Sequence, residues 1–429
     1  MENNISLNLN IRGLNQSPTL VINELSKKLN DKGRTIYRMG LGQSPFPVPI
    51  PVVEALKFHA HEKDYLPVKG LETLRQEVAR FHRRTDNVHI KSKNVLIGPG
   101  SKELMFILQM VYYGEIILPT PCWVSYAPQA KIIGRNIKFI HTSFDNKWCM
   151  THKQLDDFLL GEKDPNKPRL LILNYPSNPG GGTYSSDELK NIANIAKKHK
   201  IIILSDEIYG PLHFKENHIS IAQYYPEGTI ISSGLSKWCG AGGWRLGTFA
   251  FPDHLDWLMN AMAVVASETY TSVSAPIQYA AVRAFRGGTI IERYLLHARR
   301  ILEHLGNRCV KILREAGIQV HTPEGAFYLF PDFSMLAEKL KKYGINSSTE
   351  LCEHLLQDTG VAILPGEAFQ CPPEKFTTRL AYVNFDGANA LTMSETIALC
   401  DDLPDDFADN YCISVIEAVQ KIANWVSSK

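Results

Sequence analysis

The sequence predicts an α/β fold, with a large domain built on a mostly parallel sheet flanked by helices and a smaller α+β domain beside it. Three observations carry this expectation. Short, almost uninterrupted apolar runs recur, such as Arg169-Leu170-Leu171-Ile172-Leu173-Asn174, and continuous apolarity marks strands buried on both faces. Each run ends in a turn of Gly, Pro, Ser or Asp, after which apolar residues continue at helical spacing. At 429 residues the chain is too long for one compact core. A long helical stretch from about 289 to 316 is placed to join two units, and helix and strand pieces alternate beyond it. The expected division is 1–49 with the small domain, 50–300 as the large domain and 301–429 as the C-terminal part of the small one.

The totals exclude several classes. Charged residues make up 21% and hydrophobic residues 44%, ordinary for a soluble globular chain. A formal net charge of +2 gives no reason to expect nucleic acid or an anionic membrane as partner. Met1–Gln16 is polar and Asn-rich, without the apolar core of a signal peptide. No uninterrupted apolar run approaches the roughly 18 residues of a membrane span, so a cytoplasmic location is expected. The eight cysteines are scattered, with no Cys-x-x-Cys pair, which points to reduced thiols and away from zinc. The 14 histidines show no metal spacing, and His213 and His218 read as surface residues.

Residues 17–32 read as an amphipathic helix with Val21, Ile22, Leu25 and Leu29 on one face, Ser17 as its cap and Pro18 at the first helical position. Met39–Pro49 is a Gly- and Pro-rich loop, by physics alone a domain linker. Asp64–Gly70 is a turn leading to a helix from Leu71 to Arg83, and Tyr65 lies in that turn. Asn94–Ile97 is a strand that runs through Gly98-Pro99-Gly100-Ser101-Lys102-Glu103 into a helix. Backbone N–H groups and the Ser101 hydroxyl at such a helix start form a ready anion site, although Ser101 read alone could be only a cap. The spacing matches neither a Walker loop nor a Gly-x-Gly-x-x-Gly fingerprint.

Glu115–Leu118 is the next strand. In the segment after it, Trp123 is either plain core or a flat stacking surface for an electron-poor ring. Arg169–Asn174 leads to Tyr175-Pro176-Ser177-Asn178-Pro179-Gly180-Gly181-Gly182, an Asn-Pro turn after a buried strand. Ser185-Ser186-Asp187-Glu188 is a capping-box pattern for a helix burying Leu189, Ile192, Ala193 and Ala196. Ile201–Leu204 ends at Ser205-Asp206-Glu207-Ile208-Tyr209. Ligands of open α/β sheets gather at the carboxyl ends of strands, where Asp206 could pair with a protonated ring nitrogen or merely cap a helix.

Thr229-Ile230-Ile231 is a strand leading into Ser233-Gly234-Leu235-Ser236-Lys237-Trp238-Cys239-Gly240-Ala241-Gly242-Gly243-Trp244-Arg245-Leu246-Gly247. Small residues there let the backbone turn tightly and approach a ligand. Lys237 is placed for partial desolvation, which lowers a lysine pKa and frees the amine as a nucleophile. Arg245 offers a rigid fork for a dianionic phosphate. The alternative is a structural turn whose lysine reaches outward and whose arginine pairs with a carboxylate. Ser267–Pro276, containing Glu268, precedes a helix carrying Ile277, Ala280, Ala281 and Ala284. Gly325–Pro331 and Val361–Gly366 are strand-and-turn pieces. Thr378–Tyr382 is an apolar strand with Arg379 inside it. A buried arginine needs an anionic partner, on sequence grounds a structural salt bridge. Asp386–Tyr411 is acidic and patternless in places, expected as a loop or insertion, and Cys412–Val426 closes the chain as an amphipathic helix.

The stretch around Lys237 resembles the pyridoxal-phosphate lysine signature of the class I/II aminotransferases: small, apolar, Ser, Lys, then Gly-x-Arg-apolar-Gly. Asn174–Gly182 resembles the family's Asn-x-Pro-x-Asn-Pro-x-Gly loop, and Asp206-Glu207-Ile208-Tyr209 stands before the lysine in family order. The resemblance extends from the Gly42 loop to Arg379. It implies a fold-type-I enzyme with a seven-stranded sheet in the large domain, acting as a homodimer with shared sites, and pyridoxal 5'-phosphate as cofactor. Lys237, Asp206 and Tyr209 take the catalytic roles in that comparison. Lys237 holds the cofactor as a Schiff base and shuttles the Cα proton. Asp206 keeps the ring nitrogen protonated, and Tyr209 and Asn178 bond the phenolic oxygen. Gly100, Ser101, Lys102, Ser236 and Arg245 belong to the phosphate cup, Trp123 stacks on the ring, and Tyr65 reaches the partner subunit's phosphate. Gly42, Trp123, Asn178 and Arg379 face the substrate, Arg379 gripping its α-carboxylate.

Two departures from the family pattern stand out. Many relatives have serine where this chain has Gly234, so one phosphate hydroxyl is missing or comes from Ser233 or Ser236. Glu268 falls where dicarboxylate-specific relatives carry an arginine, which weakens aspartate as the donor. The implied reaction moves an amino group from an L-amino acid, aspartate or another common one, to a 2-oxo acid such as 2-oxoglutarate. Two other readings compete: a β-lyase or cyclopropane-forming lyase on the same cofactor, and a ligand-sensing regulator with an appended DNA-binding region. Pyruvate and ammonia released without an amino acceptor would mark the β-lyase, and retention on DNA the regulator.

Overall fold

The computed structural model describes residues 7–14, 16–164 and 166–429, so part of the polar Met1–Gln16 segment lies outside the described residues. Twelve strands are present among them. In chain order they are β1 (Tyr37–Arg38), β2 (Val95–Gly98), β3 (Glu115–Thr120), β4 (Ile137–His141), β5 (Arg169–Asn174) and β6 (Ile202–Asp206). Then come β7 (Thr229–Gly234), β8 (Gly247–Ala250), β9 (Tyr328–Leu329), β10 (Val361–Ala362), β11 (Leu364–Pro365) and β12 (Thr378–Ala381). Seven of them form one sheet in the order β2-β8-β7-β6-β5-β3-β4, parallel throughout except for β8, which runs antiparallel to both neighbours. This is the expected mostly parallel sheet.

Both faces of that sheet are covered, which is why its strands read as unbroken apolar runs. Leu170, Ile172, Ile202 and Leu204 pack on one side with Leu104, Leu108 and Met259 of helices Ser101–Val111 and Asp256–Glu268. Leu171, Leu173 and Ile203 pack on the other with Leu155, Leu189 and Ile192 of helices His152–Leu160 and Ser186–Lys198. The chain places β4 on one side of β3 and β5 on the other. The strand order therefore reverses there, opening a crevice at the carboxyl ends of β3 and β5.

The remaining strands lie outside this sheet. β11, β12 and β9 form an antiparallel trio, and β1 pairs in parallel with β10, tying residues 37–38 to 361–362. The long helix Thr289–Glu315 stands where expected and buries a stripe from Ile291 to Leu313. No helix among the described residues is long and apolar enough to cross a membrane.

Local expectations needed correction at four places. Helix Pro18–Asp31 forms, but Val21 and Leu25 are exposed and Ser17 makes no side-chain cap. The helix docks along Ile22, Ser26 and Leu29, one stripe at helical spacing, with the Ser26 hydroxyl satisfied by the Ile22 carbonyl at 2.6 Å. Ser185 does cap its helix, whereas Glu188 turns away from the box to bind the His152 backbone and ring. Asp386–Tyr411 is not a loop: Asp386 caps helix Gly387–Glu395, and a second helix spans Phe407–Tyr411. Its small buried residues, Ala390 and Ser394, gave no apolar pattern to read, yet the Ser394 hydroxyl lies 2.8 Å from His297 of the long helix. His213 and His218 are enclosed rather than superficial, His218 pairing with Glu207 at 2.9 Å. Burial pushes the His213 imidazole down to about 4, with the neighbouring His218 charge adding to the effect.

Candidate active site

A cavity of about 450 Å³ opens at the carboxyl ends of the parallel strands, the end at which open α/β sheets bind ligands. β6 terminates on Asp206, in register with Asn174 of β5 and Ser232 of β7. The Asp206 carboxylate is 4% exposed. It accepts hydrogen bonds from Tyr126 Oη at 2.6 Å and Ser232 Oγ at 3.2 Å. Burial raises its pKa to about 6, and these two bonds, the Ile208 backbone and the Lys237 charge oppose that rise. The acid is therefore held ionised near neutrality despite having almost no water around it.

Asn174 links Asp206 to the neighbouring turn. Its Nδ2 donates to the Asp206 carbonyl at 2.9 Å, and its Oδ1 accepts from Asn178 N at 2.7 Å. Asn178 Oδ1 accepts from Arg379 Nη1 at 3.2 Å, so the remaining polar end of that amide is a donor. Tyr209 Oη lies 2.7 Å from Tyr328 Oη, both rings being buried. Burial and the Tyr328 hydroxyl hold the Tyr209 phenol well above its usual pKa, keeping it protonated.

Past β7 the chain turns through Leu235 and Ser236 to Lys237, whose Nζ donates to the Gly42 carbonyl at 2.6 Å. The amine lies 5.6 Å from the centre of the Tyr209 ring and 5.8 Å from that of Phe327. Burial lowers its pKa to about 7, and Arg379, Arg245 and Lys102 add to this while Asp206 opposes it. The desolvated lysine expected from its small-residue setting is present.

The anion cup is equally well defined. Gly100, at φ +94°, precedes helix Ser101–Val111 and brings its amino end to the cavity. Arg245 reaches over from the turn after Lys237, bonding the carbonyls of Gly242 at 2.9 Å and Pro99 at 3.4 Å. A side-chain carbon at Gly100 would stand 2.1 Å from the Arg245 fork, and one at Gly247 would stand 2.2 Å from the Ser101 nitrogen. The last glycine of Gly-x-Arg-apolar-Gly is thus a packing requirement of the cup, whereas Gly243, at the motif's start, faces open space. Gly234 has a similar cause, since a Cβ there would lie 2.7 Å from the Leu246 carbonyl, leaving no room for serine. Of the two serines considered as substitutes, Ser236 lines the cavity, whereas Ser233 is buried in β7.

Arg379 is 1% exposed. Its guanidinium bonds the Gly40 carbonyl and Asn178 and lies 4.8 Å and 5.1 Å from the ring centres of Tyr328 and Phe369. Its side-chain hydrogen-bond partners among the described residues, Gly40 and Asn178, are both uncharged, and its Nε is buried without a hydrogen bond. The structural salt bridge expected on sequence grounds is absent, and the arginine faces the cavity instead. Trp123 and Lys102 line the same wall, the ammonium 5.1 Å above the indole. Gly42 lies beside Tyr328 Oη, 1.9 Å from where a Cβ would stand.

Two candidates stand apart from the cavity. Tyr65 is 90% exposed, and Glu268 lies exposed at the end of its helix. The site also holds residues the sequence reading passed over: Tyr126, Ser232, Asn174 and Tyr328, together with Ser17 and Leu20 at the cavity edge. Tyr126 had a usable signal. It lies three residues past Trp123, at the start of helix Tyr126–Ile132, and the two rings meet edge-on at 5.2 Å.

The profile of the family described as "Aminotransferase class I and II" matches residues 34–388. An asparagine–oxo-acid transaminase of Streptococcus mutans is 32% identical over 394 residues, covering 90% of this chain and 95% of that protein. An aspartate aminotransferase of a Bacillus species is 32% identical over 382 residues, covering 87% of this chain and 93% of that protein. Among solved structures, aspartate aminotransferase from Thermus thermophilus with maleate superposes at a TM-score of 0.80 with 25% identity, covering 90% of this chain and 97% of that one.

Proposed function

The chain belongs to the class I and II aminotransferases and is an amino-acid aminotransferase. On that premise we propose that it uses pyridoxal 5'-phosphate to move the amino group of aspartate, or another common L-amino acid, to 2-oxoglutarate or a similar 2-oxo acid. The observation carrying this reading is the pairing, in one cavity, of a part-buried lysine of lowered pKa with a buried, hydrogen-bonded aspartate. The donor set also fits the cofactor. The Ser101 amide, Ser236 and Arg245 would hold its phosphate, and Lys102 extends the positive wall. Asp206 would face its ring nitrogen, Trp123 its ring face, and Tyr209 and Asn178 its phenolic oxygen. Lys237 would hold it covalently through Nζ.

When bound, the cofactor supplies an electron sink that makes the substrate's Cα–H acidic. The protein's own groups do the rest. Arg379 binds the substrate α-carboxylate with its planar fork, fixing which bond at Cα is presented to Lys237. Lys237 Nζ, with a pKa of about 7, is available both as the free amine and as its conjugate acid near neutral pH, so it can take the proton from Cα and return it. Tyr126 and Ser232 keep Asp206 ionised where it would face a ring cation, and burial keeps the Tyr209 hydroxyl protonated.

The rest of the reading concerns assembly. Two copies are proposed to share their sites, with Tyr65 of each subunit completing the other's phosphate cup and Glu268 turned toward that interface. Their exposure in the single chain supports this. The β1–β10 pairing supports grouping 1–49 with 301–429 as a smaller domain beside 50–300. Eight cysteines without disulfides suit the cytoplasm. The deciding experiment is Lys237→Ala with cofactor and a panel of amino donors with 2-oxoglutarate. Loss of both turnover and the bound cofactor's visible band is expected, and a variant that keeps both would refute the assignment. Pyruvate and ammonia formed by the unaltered enzyme without a 2-oxo acid would favour lyase chemistry.

A further inference from the structure

Directly behind Asp206 lies a second buried carboxylate for which the reaction as described has no use. Glu207 is 3% exposed. Its Oε1 lies 2.6 Å from Ser205 Oγ, 2.7 Å from Ser220 Oγ and 3.3 Å from Tyr175 Oη, and its Oε2 lies 2.9 Å from His218 Nε2. Its backbone N–H donates to the Ser232 carbonyl of β7 at 3.0 Å. Burial disfavours a charged His218, but the Glu207 bond, the Glu207 charge and Asp86 outweigh it and raise the imidazole pKa above its usual value. Asp86, Glu207 and His218 present atoms within 4.8 Å of one another, as a cation site would. However, the Glu207 oxygens already face three hydroxyls and an imidazole. Those are proton donors that a cation would have to displace.

Three of the connections of this residue lead to the active site. Tyr175 opens the turn that carries Asn178, Ser205 precedes Asp206 on β6, and Ser232 bonds Asp206 itself. We propose that Glu207, braced by His218, is a positioning residue of the transamination reaction: it staples the ends of β5 and β6 together so that Asp206 meets the cofactor's ring nitrogen. The inference rests on the pyridoxal-phosphate reading above. Four side-chain contacts converge on the two Glu207 oxygens, and they favour one geometry because displacing the carboxylate would leave a buried charge unpaired.

The test compares the affinity of apoprotein for pyridoxal phosphate with that for its 1-deaza analogue, in which CH replaces the ring nitrogen. The ratio reports the Asp206 contact, and a loss of general order lowers both affinities alike. The unaltered protein is expected to prefer pyridoxal phosphate and Asp206→Asn to lose that preference. Glu207→Gln is expected to reduce it about tenfold, the worth of one weakened charge-assisted bond. Ser220→Ala removes a single hydroxyl from Glu207 and is expected to reduce it about threefold even if Glu207→Gln fails to fold. An undiminished preference in Ser220→Ala, or in a folded Glu207→Gln, overturns the positioning role alone. Failure of the unaltered protein to bind either compound overturns the cofactor reading, and this inference with it.

Discussion

Tyr126→Phe isolates the group that keeps Asp206 charged. The phenol donates to Asp206 Oδ2 at 2.6 Å in a fully enclosed setting. Its own pKa is held far above the usual value by burial and the Asp206 charge, so it is a donor at every accessible pH. Phenylalanine keeps the ring and its edge contact with Trp123 while removing the hydroxyl. A hydrogen bond to a buried charge is worth about 1.5–3 kcal/mol, which corresponds to roughly 1–2 pH units of titration midpoint. Asp206, at about 6 in the unaltered chain, should then titrate at roughly 7–8. The sign follows from the bond stabilising only the ionised form. Carbon-13 NMR of carboxyl-labelled apoprotein can follow the titration, with Asp206→Asn identifying the resonance. A midpoint that stays put or falls would show that Tyr126 does not set the charge of this acid.

Lys237→Met should stabilise the apoprotein at neutral pH. The folded pKa of Lys237 is below its unfolded value, so between about 7 and 10.5 the unfolded chain binds more protons and stability rises with pH. Urea unfolding should show that rise, up to about 5 kcal/mol, in the unaltered apoprotein and its loss in the variant. Arg379→Lys should raise KM for both amino and oxo acids roughly ten- to hundredfold by breaking the bidentate grip, with the cofactor's visible band unchanged. A proportional loss of bound cofactor would argue against a substrate role. Gly247→Ala forces a carbon to 2.2 Å from the Ser101 nitrogen. It should cost about 1–3 kcal/mol in unfolding and weaken cofactor binding, and unchanged values of both would refute the cup's geometry.

The elements that could be read from the chain were those whose environment is uniform. β5 and β6 are buried on both faces, so their composition alone revealed them, and the turns after them stood out because backbone geometry restricts what can fill them. Asn178 after β5, and Lys237 and Arg245 after β7, were singled out in such turns together with the resemblance of those turns to the family's motifs. The partners of Asp206 were harder, because Tyr126 and Ser232 meet it only through strand order, a long-range property that local pattern does not encode. Helix Gly387–Glu395 went unread because its buried face is mostly small, with Gly387, Ala390 and Ser394 around a single leucine, Leu391, and so carries no apolar stripe. His218 was misplaced for a related reason. A histidine reads as a surface residue until its counter-charge is located, and Glu207 faces it only after the chain has folded back.

The cavity's charge balance explains why so many cations can share so small a volume. Lys102, Lys237, Arg245 and Arg379 line it against one carboxylate, Asp206. Such a set repels itself, and the lowered pKa of Lys237, caused first by burial, is depressed further by Arg379, Arg245 and Lys102. Bringing a phosphate dianion to Arg245 and a substrate carboxylate to Arg379 would relieve that repulsion. The same anions would also raise the Lys237 pKa again by removing the cationic contribution to its depression. The amine should therefore be most acidic in the empty site and become a stronger base as the anions arrive, so occupancy of the anion sites tunes a proton affinity whose largest determinant is burial.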